Sequence, residues 1–373
     1  TADNQSSQYS DPLVNPLTYA ITGYVTGETL ETSGVTGTPV LDVPGLSDPV
    51  VEMPGTYDIV GAIGSLSSAN YSFNLVNGIY TVEKEDATIT ILYNPTAVQV
   101  WEPESNENEE FEIDYIIEQA DDGYPGNMNL IFNDDMGVEF APVSGGASAG
   151  PYPASDWIPN APSGTAEFII HQGELGVECY TVTASLLNEY FDANDAEDVL
   201  VVYDPSLGYT TGGGWFEWPV TGEKTNFGYT MKYNKKAKSI QGGLLLIRHH
   251  DDDSIYRIKS NALYGLALGD TGTGGGWASF SGKCVYGWPA DGGMENAGGQ
   301  VFMVYVEDWK DPGVGADQFW FTVICGDNVP HDAQGFGLDK NGDLTSLGET
   351  ATLSGGNIVV PHASGGSNRP KKK

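Results

Sequence analysis

The chain predicts an all-β protein made of tandem β modules, and three observations carry that expectation. It holds 49 Gly, 21 Pro and 20 Tyr, with Thr, Val and Ile in short runs and few Leu/Ala/Glu/Lys blocks that would favour helices. Several segments alternate apolar and polar residues with the period of two expected of half-buried strands. Gly-, Pro- and Asn-rich clusters punctuate those segments as turns. At 373 residues the chain exceeds one small domain, and roughly 150 residues per domain suggests two or three. Folded material of this size buries about three-quarters of its unfolded surface, so its core requires neither metals nor many disulfides. The boundaries read as a first module over 1–87, a second over 88–205, a third over 206–360 and a basic tail over 361–373.

In the first module the pattern predicts strands over 17–24, 56–63, 71–75 and 79–83. Tyr9-Ser-Asp-Pro, Asn15-Pro-Leu-Thr-Tyr19-Ala-Ile-Thr-Gly23, Gly55-Thr-Tyr-Asp-Ile59, Asn70-Tyr-Ser-Phe and Asn77-Gly-Ile-Tyr-Thr-Val82 follow one another in order. Together they resemble one MBG-type (mostly β, Gly-rich) repeat. Such repeats occur in large secreted surface proteins of bacteria and archaea. The resemblance implies a β domain without catalytic residues.

A short hinge over 83–87 leads into the second module. Phe111, Ile113, Tyr115 and Ile117 alternate there with Glu112, Asp114 and Glu118, and Phe168/Ile170 and Tyr180/Val182/Ala184 repeat the pattern. An antiparallel sandwich is the natural architecture for such strands. The run Gly176-Val-Glu-Cys-Tyr180-Thr-Val-Thr-Ala184 resembles a late strand of bacterial Ig-like domains. That register implies an Ig-like sandwich with Tyr180, Val182 and Ala184 facing inward and Cys179 on the outer face.

The third module opens at Tyr209-Thr-Thr-Gly-Gly-Gly-Trp215. Strands are predicted over 226–233, 241–249, 254–260, 276–282, 299–307, 317–325 and 356–360. The TGGGW opening, Asn226-Phe-Gly-Tyr-Thr-Met-Lys-Tyr233 and the closing Leu353-Ser-Gly-Gly-Asn-Ile-Val-Val360 resemble a β domain found after Ig-like modules in secreted surface proteins. The resemblance implies a larger C-terminal β-sandwich. The Gly/Ser-rich stretch that follows ends in a Lys triplet and reads as a tail.

Charge separates the chain into two unequal halves. Residues 1–210 hold 34 Asp/Glu and a single cation, Lys84, whereas residues 211–373 hold 17 Asp/Glu and 15 Lys/Arg within a total of −35. A polyanion is repelled by most of such a molecule, so nucleic acid is not an expected partner. Ordinary solvation explains an acidic surface; divalent cations, a salty habitat or the basic part of a neighbouring copy are the alternatives. No stretch of about 18 apolar residues exists, so membrane insertion is not expected. The expected location is extracellular, secreted or at the cell surface.

No catalytic residues are predicted. The chain has five His and no HExxH, Walker loop or strand-borne GxGxxG. His249-His250 ahead of three Asp reads as a polar hairpin tip. Calcium is the candidate cofactor, because hard cations take several oxygens clustered in a loop. Asp192, Asn194, Asp195, Glu197 and Asp198 offer one such cluster; Asp339, Asn341 and Asp343 offer a second, without the Gly and terminal Glu placement of an EF-hand. Cys284 and Cys325 are the candidate disulfide, whose loop would contribute about 4 kcal/mol, and Cys179 is left over. Trp215, Trp218, Trp277, Trp288, Trp309 and Trp320 serve either a core or a glycan-stacking face.

The expected function is that of a structural subunit of an extracellular filament, sheath or surface layer, with the chain itself as partner. Lys235, Lys236 and Lys238, with Lys371, Lys372 and Lys373, form the basic face expected to meet the acidic front of the next copy. A terminal segment, about 1–16 or 355–373, is expected to add a strand to a neighbour's sheet edge. A glycan-binding adhesin is the alternative.

Overall fold

The computed structural model describes residues 1–94, 110–143, 145–171, 174–176, 178–202, 209–234, 239–250, 252, 254–290, 293–325, 329, 335–338 and 350–361. Nearly all the regular structure is strand, as the composition predicts. Among these residues no helix is long and apolar enough to cross a membrane.

The first module is a four-stranded sheet of β1 (Gln5–Gln8), β2 (Val40–Asp42), β3 (Gly55–Ala62) and β4 (Gly78–Glu83) in the order β1-β4-β3-β2. The predicted strands at 56–63 and 79–83 are present, and they pair so that Tyr57 faces Tyr80. The other two are not formed. Residues 17–24 run as irregular chain beside the N-terminus, held where Asp3 donates to the Thr18 carbonyl and Ala20 to that of Thr1. At 71–75 the anchoring is by side chains, as in the edge-to-face contact of Tyr71 with Tyr24. The N-terminal segment is therefore already occupied: Gln5–Gln8 pairs in parallel with Tyr80–Glu83 of its own chain. That strand is paired on one side at home and forms the edge of its own sheet, whereas the expectation had a terminal segment adding to a neighbour's sheet.

The second module continues from β4 with only Lys84 between. Its elements are β5 (Glu85–Asn94), β6 (Glu110–Gln119), two 3₁₀ turns (Met128–Leu130 and Asn133–Asp135), β7 (Met136–Pro142), β8 (Ala149–Pro153), β9 (Asp156–Asn160), β10 (Ser163–His171), β11 (Glu178–Leu186), β12 (Phe191–Ala193) and β13 (Ala196–Val202). One sheet runs β12-β5-β6-β10-β9 and the other β13-β11-β7-β8. The predicted alternation holds: Phe111, Ile113, Tyr115, Ile117, Phe168, Ile170, Tyr180, Val182 and Ala184 are all buried between them. The same apolar cluster extends into the first module through Ala2, Tyr9, Ile59, Tyr80 and Val82. Tyr9 packs edge-on against Tyr190 and Phe191, and Lys84 Nζ donates to the Asn188 carbonyl at 2.7 Å.

The third module is one sheet that folds back on itself. A meander of β14 (Tyr209–Glu217), β15 (Lys224–Asn234), β16 (Ser239–His249), β17 (Ile255–Asp270), β18 (Gly276–Ala290), β19 (Gly293–Asp308) and β20 (Gln318–Ile324) places each strand beside the next. Three short pieces follow: β21 (Gly335–Phe336) and β22 (Ala351–Thr352) pair with β20, and β23 (Gly355–Val359) pairs with β14 at the far end. The last segment thus bridges the two ends of the meander. Between them Phe216 of β14 stacks on Phe319 of β20 at 5.2 Å, within a core rich in Phe and Tyr.

The two glycine motifs that bracket this module pair with each other, Gly213 opposite Asn357 and Gly214 opposite Gly356. A Cβ on Gly214 would lie 2.1 Å from the Gly355 carbonyl oxygen, and one on Gly356 would lie 2.1 Å from that of Gly213. Only glycine permits so close a backbone approach. Strands β17, β18 and β19 run well past their predicted ends, because each supplies the other's ladder through Gly- and Ala-rich stretches of weak strand propensity.

Candidate functional site

The acids expected to bind calcium lie where the second and third modules meet. Asp192, Asn194 and Asp195 are exposed around the β12–β13 turn, while Glu197 and Asp198 open β13. The last two are committed to the third module. Arg257 Nη1 donates to both Glu197 carboxylate oxygens, at 2.6 and 2.7 Å. Asp198 is buried and accepts from Asn226 Nδ2 and, at 2.6 Å, from the Val199 amide. Burial pushes the Asp198 carboxyl up to about 6; Lys224 and these two donors pull the other way. The cluster is therefore a docking surface divided among separate partners. Among the described residues no three His, Cys, Asp or Glu are grouped as a metal cage. Asp339, Asn341 and Asp343 lie outside the described residues, as do Lys235, Lys236, Lys238, Lys371, Lys372 and Lys373.

Apolar contact completes this junction. Cys179 does point away from the second module's own core, as its strand register implied, yet it is fully buried. Val143, Cys179, Val199 and Val201 meet Leu245 and Ile247 of β16 in a separate cluster. Strand β16 is consequently buried on both faces, since Leu244 and Leu246 point into the third module's core. Gly228 makes the approach possible: a Cβ there would lie 2.3 Å from a Val199 methyl. The sequence carried a signal for this, because Leu244-Leu245-Leu246-Ile247 and Val199-Leu200-Val201-Val202 are unbroken apolar runs in strands that otherwise alternate.

Beside the contact lies a cleft of about 410 Å³ lined by β5, the β12–β13 turn, Lys224, His249, His250 and Ile255. The two histidines close the hairpin between β16 and β17, as expected, with the His250 amide donating to the Ser254 carbonyl at 2.9 Å. His250 Nδ1 lies 2.5 Å from Glu223, which also takes Arg248 at 2.7 Å, and the Arg248 guanidinium covers the Trp218 and Tyr256 rings. Burial, reinforced by Lys224, holds the His249 imidazole down at about 4, so it is neutral at physiological pH. This arrangement orients a polar surface. The cleft pairs neither histidine with a Ser or Cys nucleophile among its described lining residues.

The tryptophans divide between core and surface. Trp218 is buried and packs on Phe216 and Phe336. On the outer face of β18, β19 and β20, Trp277 stacks on Tyr305 (5.9 Å between ring centres, planes 14° apart), and Tyr305 meets Trp320 edge-on at 5.3 Å. All three are half-buried, and exposed Trp309 lies beyond the row. The expected disulfide is not formed: Cys284 and Cys325 are free thiols. They are close enough to interact, since burial and then Cys325 push the Cys284 thiol up to about 12.

No curated protein and no solved structure matches the chain. Residues 1–81 match the family model described as MBG domain (YGX type), a domain typical of extracellular surface proteins.

Proposed function

We propose that the chain is a non-catalytic structural subunit of a cell-surface filament, sheath or surface layer. The observation that carries this reading is the immobilisation of its modules against one another. One apolar cluster is shared by the first two, and the second and third share a buried interface with its own ion pair. Rigid joints transmit force and fix subunit geometry, whereas independent modules on linkers would need neither. The acidic first two modules and the basic groups of the third, including the Lys clusters at 235–238 and 371–373, supply a head-to-tail attraction that repeats without closing. Negative-stain microscopy and size-exclusion chromatography test this. Regular polymers that weaken on raising salt, and on deleting 361–373 together with Lys235→Ala, Lys236→Ala and Lys238→Ala, are expected. A monomer under all conditions overturns the reading.

The Trp277–Tyr305–Trp320 row favours one second reading, a glycan-binding adhesin, since sugar faces stack on half-exposed aromatic rings. A monomer retained on a glycan column, and released by Trp277→Ala with Trp320→Ala, would select it.

A further inference from the structure

Strand β5 has one edge that its own sheet leaves open. On one side it pairs with β6 over residues 87–94, but on the other β12 covers it only over residues 85–87. Successive residues of a strand point their N–H and C=O groups to opposite sides. The hydrogen bonds fix which residues point where. The Asp86 carbonyl accepts from the Ala120 amide on the β6 side, whereas the Glu85 amide donates to the Tyr190 carbonyl on the β12 side. By that alternation Thr88 and Thr90 face β6. Ile89 and Ile91 direct their amide and carbonyl groups the other way, where β12 has ended and no described residue pairs with them. This open side is a wall of the cleft of about 410 Å³, which residues 87–91 line in an unbroken run together with His249, His250 and Ile255 of the third module.

A row of unpaired backbone groups is a template for another strand. The other edges of the first two modules are blunted. Strand β8 carries Pro151 and Pro153, β9 carries Pro159, and β1 and β2 are only four and three residues long. Residues 87–91 extend roughly 16 Å, enough for a partner strand of three residues. Charge selects the partner. Asp86, Asp192 and Asp195 are exposed beside the slot, and none of them has an ion-pair partner among the described residues. The Lys224 ammonium lies over the Trp215 ring, and His250 is engaged by Glu223. Such a slot fits an extended, cationic segment without acids. Residues 362–373 have that composition, with no Asp or Glu, with Arg369, Lys371, Lys372 and Lys373, and with His362-Ala363-Ser364 free of Gly and Pro. We propose that residues 362–364 of a second copy add a strand to the open edge of β5, and that the cations after them meet Asp86, Asp192 and Asp195. The identity of the partner rests on the assembly reading above; the open edge does not.

Hydrogen exchange on the full chain, read amide by amide, tests this with a synthetic peptide of residues 361–373 as the probe. In the chain diluted to its monomer the Ile89 and Ile91 amides are expected to exchange fast, and the peptide to slow them by about tenfold or more. The Thr88 and Thr90 amides, already paired with β6, should not change. N-methylation of the peptide separates a ladder from side-chain contacts, because only alternate amides face β5. Of two peptides, one methylated at Ala363 and the other at His362 and Ser364, one should lose binding and the other keep it. Thr90→Lys with Asp195→Lys, both at exposed positions, should weaken the peptide severalfold without lowering the melting temperature beyond what surface changes do. Ile89 and Ile91 amides that are slow in the monomer, or that the peptide leaves fast, would overturn the assignment. Polymers that form while both amides stay fast would keep the assembly reading and refute this edge. A chain that stays monomeric but whose two amides the peptide protects would refute the assembly reading and keep the edge.

Discussion

The two joints of this chain solve the same problem with opposite chemistry. Where the second module meets the third, acids find partners: Arg257 takes Glu197, and Asn226 with nearby Lys224 receives Asp198, around an apolar patch centred on Leu245 and Ile247. Where the first meets the second, Tyr9, Tyr190 and Phe191 supply the apolar contact, but Glu85 is buried, and burial, then the charges of Asp122 and Asp11, push its carboxyl up to about 7. The difference follows from where the cations lie in the sequence, with 15 of 16 after residue 210. Only a joint that includes the third module can neutralise its acids internally. The other favours the protonated form of its buried acid.

That contrast can be broken most forcefully at Leu245. Leu245→Ala removes a fully buried side chain from the second joint, and a loss of about 2–5 kcal/mol is expected in chemical denaturation. A loss below 1 kcal/mol, by the same scale of core deletions, would mean that the apolar patch does not hold the modules together.

Asp198 gives the next largest effect, through pH. Its folded carboxyl sits at about 6 against an ordinary value of 3.8. Between those values the folded state keeps a proton that the unfolded chain has lost, so the group's contribution falls as pH rises through this window. Asp198→Asn is expected to be more stable than wild type at neutral pH by on the order of 2 kcal/mol, with the difference vanishing near pH 4. Destabilisation at neutral pH would show instead that Asn226 and Lys224 fully compensate the charge.

Arg257→Ala should cost about 1 kcal/mol, since the ion pair is a quarter exposed and screened by solvent. A double-mutant cycle with Glu197→Ala isolates that term, and a coupling near zero would leave the joint purely apolar. Lys84→Met should cost about 1 kcal/mol at the first joint by removing the hydrogen bond to Asn188. The smallest expected effect is that of dithiothreitol on the melting temperature, which should be nil, because Cys284 and Cys325 are thiols already. A drop would reveal the bridge that the sequence suggested.

Much of the strand content was legible because half-buried strands print their geometry locally. Phe111, Ile113, Tyr115 and Ile117 announce a sheet face whatever they pack against. The failures were of two kinds. Residues 17–24 and 71–75 have strand-like composition but lack partners to complete a ladder, and propensity alone does not make a strand. Conversely, the β17–β19 extensions lack propensity and form because neighbours pair with them. Of the candidate calcium acids at 192–198, Glu197 is engaged by Arg257, a partner 60 residues further along the chain that no local pattern announces.

By itself the sequence determined the class of this protein: short alternating strands, glycine turns, an acidic front and a nearly charge-balanced back are local or additive properties. Only the tertiary structure decided what those residues do. It paired the two glycine motifs across the third module, buried Cys179 beneath that module, and left a Glu85 oxygen without a donor. Each of these depends on residues far apart in the chain being brought into contact. Burial and electrostatic pairing are properties of distance in space, which alternation along a strand cannot encode.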